Sequence, residues 1–109
     1  MKNNSSKGGG RACKTEVDFA SVNQRALVTL PLLLARWLPG GRWEGREYVA
    51  RNPRRADRTA GSFKINREGP WADFATGDRG GDIISLAAYL ADCSQVKAAR
   101  RLAKMLGLN

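Results

Sequence analysis

The 109-residue chain contains no histidine and only two cysteines, Cys13 and Cys93, which form no C-x-x-C pair. Without histidine the commonest general base and metal ligand is gone, and two thiols cannot complete a four-ligand zinc site of Cys and His. There is no Ser or Cys nucleophile motif and no recognisable pair of carboxylates, so the chain is not expected to be an enzyme or to carry a cofactor or metal. Free thiols fit a reducing cytoplasm. Acidic residues are also scarce: 10 Asp+Glu stand against 19 Lys+Arg, a net charge of +9. Such an excess points to a polyanionic partner, of which nucleic acid is the commonest, with solubility alone as the competing reading. Long apolar runs are missing too. The best candidate, "ALVTLPLLLARWLPGG", lies behind Glu16 and Asp18 and is broken by Pro31 and Arg36. It is too short and interrupted to span a bilayer and starts too late for a signal sequence, so no membrane association is expected.

What is present suits one small domain: 42% hydrophobic residues are enough for a modest core. Residues 1–16 are polar, basic and rich in Gly and Ser, which predicts a disordered tail, and 17–109 form the domain. Asp18 or Ser21 can cap a helix running to about Ala26. Thr29 is a candidate cap for "LPLLLARWL", with Pro31 in the first turn, Pro39-Gly40-Gly41 as the stop, and Leu33, Leu34 and Trp37 toward the core. Residues 46–51 look strand-like, and Asn52-Pro53 breaks them before a basic loop. "SFKIN" alternates cleanly and "REGP" turns it into "WADF", a hairpin. In that hairpin Phe63 and Ile65 point inward with Ala72 and Phe74, while Trp71 and Asp73 share the other face with Lys64. Two C-terminal helices follow. Asp82 caps the first, with Ile83, Leu86, Ala87 and Leu90 on one stripe. Ser94 caps the second, with Ala98, Leu102, Met105 and Leu106 inward, Lys97, Arg100, Arg101 and Lys104 outward, and Gly107 at its end. The expected class is α+β: a small antiparallel β-sheet packed by an N-terminal helix and two C-terminal helices.

The loop "GDRGGD" admits three uses. Gly80 and Gly81 before a helix suggest a phosphate cradle, but no Lys follows at P-loop spacing and Asp82 competes for the same N–H groups. Asp73, Asp78 and Asp82 offer three carboxylates for Mg²⁺, though nothing sets them on one face. The reading physics favours is structural: glycines make a tight turn and Asp82 caps the next helix.

The order of motifs across residues 46–90 resembles the zinc-ribbon domain of bacterial and phage primases. That family runs C-P-x-H, an S-F strand, an aromatic strand with C-x-x-C, then a G-G-D loop and a helix. Here Asn52-Pro53 stands for C-P and Arg55 for the histidine. Ser62-Phe63 matches the S-F strand, Asp73 and Thr76 replace the second cysteine pair, and Gly80-Gly81-Asp82 matches G-G-D. The longer string, from "DFA" through "LLARWLPGG" to "AARRLAKMLG", is similar to modules that open primase–helicase-like proteins of plasmids, phages and integrative elements. The resemblance implies a zinc-ribbon-like frame without zinc, held by packing and helix capping, that engages template single-stranded DNA without polymerising.

Most of the excess charge falls between Arg36 and Arg67, interleaved with aromatic residues, as a single-strand binder requires: cations track phosphates while rings stack on bases. The candidate contacts are Arg42, Trp43, Arg46, Arg51, Arg54, Arg55, Arg58, Lys64, Arg67 and Trp71. Each arginine alone is equally a solvated surface residue, and Trp43 and Trp71 are equally candidates for cover by a helix. The expected role is a cytoplasmic DNA-binding module, single-stranded DNA favoured, in replication or priming of a mobile genetic element. The alternative is an adaptor that docks onto a primase, helicase or other protein.

Overall fold

The computed structural model describes residues 18–54 and 61–108. The expected tail, Arg55 and Arg58 lie outside the described residues. Helix α1 spans Phe19–Val28, and Asp18 caps it by accepting the Ala20 and Ser21 N–H groups at 3.1 and 3.3 Å. Helix α2 spans Leu30–Trp37 with Pro31 in its first turn. Thr29 occupies the cap position but does not cap, because its hydroxyl donates back to the Arg25 carbonyl at 3.2 Å. Leu33 and Leu34 are buried, while Trp37 lies at the rim of the core, half-buried.

Five strands follow: β1 Arg42–Glu44, β2 Glu47–Ala50, β3 Phe63–Asn66, β4 Trp71–Asp73 and β5 Arg79–Gly80. They form one antiparallel sheet in which each strand pairs with its sequence neighbours. The sequence reading contained neither β1 nor β5, which have only three and two residues. Gly45, at φ +62°, makes the tight β1–β2 turn.

The β3–β4 register corrects the expected hairpin. Ile65 lies opposite Trp71 and Phe63 opposite Asp73, one residue away from the expected pairing. Because side chains alternate along a strand, that slip exchanges the faces of β4. Trp71 and Asp73 are buried with Phe63 and Ile65, whereas Phe74 is 70% exposed. The turn enforces this: the Asn66 N–H donates to Pro70 at 2.7 Å, the Gly69 N–H donates to Asn66, and the Asn66 side chain accepts from Glu68.

Helix α3 spans Ile83–Ala91 and α4 spans Gln95–Met105, capped by Asp82 and Ser94. The stripe of α3 is broader than expected, with Ile84 and Ala88 buried beside Ile83 and Leu86, and Ala87 and Leu90 only half-buried. On α4, Ala98, Ala99, Leu102 and Ala103 face inward, and Met105, expected there, is exposed. The core lies between the helices and one face of the sheet. Tyr48, Ala50, Phe63, Ile65 and Trp71 meet Val22, Leu30, Leu34, Ile84 and Leu102 there.

Candidate nucleic-acid interface

The glycine-rich loop is committed to structure. The Trp71 indole lies against Gly80, where a Cβ would fall 2.5 Å from Nε1 and also onto the Ser85 hydroxyl. That Nε1–H donates to Ser85 Oγ at 2.9 Å. Asp82 and Ser85 form a reciprocal capping box, and Asn23 of α1 closes the helix end from the other side. The Ile84 N–H donates to Asn23 Oδ1 at 3.0 Å, and Asn23 Nδ2 donates to Asp82 Oδ2 at 3.3 Å. The Asp82, Ile84 and Ser85 N–H groups at this helix end already have partners, which counts against the cradle reading. Asp82 is likewise engaged, Asp73 is buried, and Asp78 accepts from the Tyr89 hydroxyl. No group of three or more His, Cys, Asp or Glu side chains that could hold a metal occurs among the described residues.

Asn52 and Asp73 occupy two of the positions that the resemblance gives to metal ligands. Both are buried, and Asn52 Nδ2 donates to Asp73 Oδ2 at 2.8 Å. The Ala75 N–H donates to Asp73 Oδ1, and Asn52 Oδ1 accepts the Arg54 N–H, each at 2.8 Å. Asn52 also donates to the Tyr89 hydroxyl. Burial raises the Tyr89 phenol above its ordinary value of 10.0; the Asn52 hydrogen bond opposes this and Asp78 adds to it. A hydrogen-bonded node thus ties the β2 exit, the end of β4 and α3 together, as buried polar groups require. The sequence reading missed it, since Asn52 read as a strand breaker and Asp73 as a surface carboxylate.

The nominated contacts divide among several places. Trp71, only 5% exposed, is a core residue: it packs on Tyr89 with centroids 4.7 Å apart and on Phe63 at 6.1 Å, so it offers no face to a base. Arg54 is also structural. Its guanidinium stacks over Tyr89 at 5.0 Å, donates to the Tyr89 carbonyl and pairs with Asp92 at 3.5 Å, meeting the negative end of α3. Arg46 pairs with Glu68 beside the β3–β4 turn. Trp43 is half-buried, edge-on to Tyr48, with Arg67 over its ring at 5.5 Å. Arg51 is exposed just beyond β2.

Arg42 and Lys64 belong together, and their partner is a residue the sequence reading passed over. Ladder pairing runs Arg42, Val49, Lys64, Ala72, Arg79 in one line across all five strands. These side chains stand on the face opposite Tyr48, Ile65 and Trp71, which alternate with them, and Val49 among them is itself buried. At about 4.8 Å per strand the row is about 19 Å long. Arg42 pairs with Glu44 at 2.7 Å, whereas neither Lys64 nor Arg79 has a salt-bridge partner among the described residues. Lys64 Nζ lies 5.9 Å from the centre of the exposed Phe74 ring. Lys64, Ala72, Phe74 and Arg79, together with the carboxylates Glu47 and Glu68, line an open groove of about 770 Å³ over the sheet. Arg79 and Phe74 were discoverable only by placing β4 in the correct register.

No helix among the described residues is long and apolar enough to cross a membrane. Compared with known proteins, the chain matches no protein-family model and no curated protein.

Proposed function

We propose that the chain is a DNA-binding accessory module that holds single-stranded DNA on the open face of its sheet. The supporting observation is the cross-strand row Arg42–Lys64–Arg79 beside the exposed ring of Phe74. Three cations aligned on one face can follow a phosphate backbone, and a free aromatic face next to them can stack on a base. A duplex keeps its bases stacked inside and gives Phe74 nothing to stack on, so single strands are favoured. Binding is weak, largely independent of sequence, and requires no reaction and no cofactor. The resemblance to primase ribbons adds the setting: cytoplasmic replication or priming of a mobile genetic element, beside a primase or helicase.

The test is fluorescence anisotropy with single- and double-stranded oligonucleotides of the same sequence. The single strand is expected to bind tighter at low salt. Phe74→Ala should weaken it by about 1–3 kcal/mol, the range for one base–aromatic stack, and leave duplex binding unchanged. Equal binding of both forms, or full affinity in Phe74→Ala, would overturn the proposal.

A further inference from the structure

We propose that a second surface, on the helical side of the molecule, docks an acidic amphipathic segment of another protein. A groove of about 370 Å³ lies between α3, α4 and the end of α2. Its walls are apolar, built from Trp37, Ala87, Leu90, Ala98, Leu102 and Met105, and among the described residues its one charged lining residue is Arg101. Met105 is 46% exposed and stands open at the mouth, beside the half-buried Trp37.

Charge selects the occupant. Lys97, Arg101 and Lys104 follow one another at i, i+4, i+7, an exposed basic stripe on the face of α4 from which Arg101 lines the groove. No Asp or Glu occurs from Ser94 to Leu108, and Asp92, just before, is paired with Arg54. A second copy would bring the same cations against this stripe. Residues 1–17 carry Lys2, Lys7, Arg11 and Lys14 against Glu16 and would be repelled likewise. A nucleic-acid backbone matches the charge but leaves the apolar walls unfilled. An amphipathic helix with Leu or Phe on one face and carboxylates flanking it satisfies both features: its apolar residues enter the groove and its carboxylates meet Lys97, Arg101 and Lys104.

The probe is a fluorescein-labelled helical peptide with Leu and Phe at i, i+4, i+7 and Glu at the flanking positions. One companion peptide replaces Glu by Lys, and the other replaces Leu and Phe by Ala. The acidic amphipathic peptide is expected to bind at least tenfold tighter than either companion and to shift the tryptophan emission in the wild type but not in Trp37→Phe. Arg101→Glu and Met105→Glu, both at exposed positions, should each weaken it about tenfold while the far-UV spectrum stays that of the wild type. Lys97→Glu serves as a second charge reversal should either variant lose its fold. No binding of the acidic peptide, equal binding of all three, or unchanged affinity in the folded variants would overturn the proposal. So would an Arg101→Glu variant that loses single-stranded DNA as strongly as it loses peptide, since α4 would then belong to the nucleic-acid surface.

Discussion

Removing Lys64 tests whether the open face of the sheet grips DNA as a unit. Each phosphate contact to a single strand contributes about −0.7 to the slope of log K against log salt. The row places three cations in line, Arg42, Lys64 and Arg79, so the expected slope is about −2.1. Affinity for fluorescein-labelled oligo(dT) should then fall about 18-fold between roughly 50 and 200 mM salt. Lys64→Ala leaves two contacts, a slope of about −1.4 and a fall of about 7-fold over the same range. Lys64 is half-exposed at mid-strand, and its loss removes no salt bridge among the described residues, so stability should hold. The assay is an anisotropy titration at four salt concentrations for both proteins. An unchanged slope in Lys64→Ala would refute the reasoning, because a central cation that releases no counterion is not touching phosphate.

Adjacent glycines should differ sharply. Gly80→Ala drives a methyl group into Trp71 and Ser85 and should cost about 1–3 kcal/mol in urea denaturation, whereas Gly81→Ala, with open space around its Cβ, should stay within about 0.5 kcal/mol. Asn52→Ala removes the donors to Asp73 and Tyr89 and the acceptor for the Arg54 N–H, and should destabilise by about 1–3 kcal/mol without changing the salt slope of DNA binding. The Tyr89 phenol, raised chiefly by burial, binds its proton more tightly in the folded than in the unfolded chain. Its stabilisation is therefore complete below pH 10.0 and lost as pH rises through the folded value. Alkaline unfolding followed by circular dichroism should show this limb, and Tyr89→Phe should flatten it.

Helices were legible where periodicity and end signals coincide. Asp82 and Ser94 cap α3 and α4 as their positions in the sequence imply, and of the two candidates for α1, Asp18 and Ser21, Asp18 is the cap. Alternation located β3 as well. The face of β4 was not legible, because a turn of four residues decides whether Ile65 meets Trp71 or Ala72, and alternation is indifferent to a shift by one. The tie is broken elsewhere in the chain: Gly80 leaves room for the indole, Ser85 accepts its N–H, and Asn52 supplies a donor for the buried Asp73. Each of these is remote in sequence and visible only once β5 and α3 have been placed. The candidate site inherited that one-residue error. Trp71 and Phe74 exchange roles, and Arg79 joins Lys64.

The meander order of the strands sets how this molecule can form at the ribosome. Each strand finds its neighbour immediately upstream, so the sheet can grow one hairpin at a time as the chain emerges, with no strand waiting for a distant mate. Docking of α1 is different. Its Asn23 must wait for Asp82 and Ile84, about sixty residues later, before either partner exists. Helices α1 and α2 are made before the sheet and can cover part of its core face as it forms, whereas α3 and α4 follow it. Trp71 and Phe63 gain their Tyr89 neighbour, and the Trp71 indole its Ser85 acceptor, only once α3 has been made.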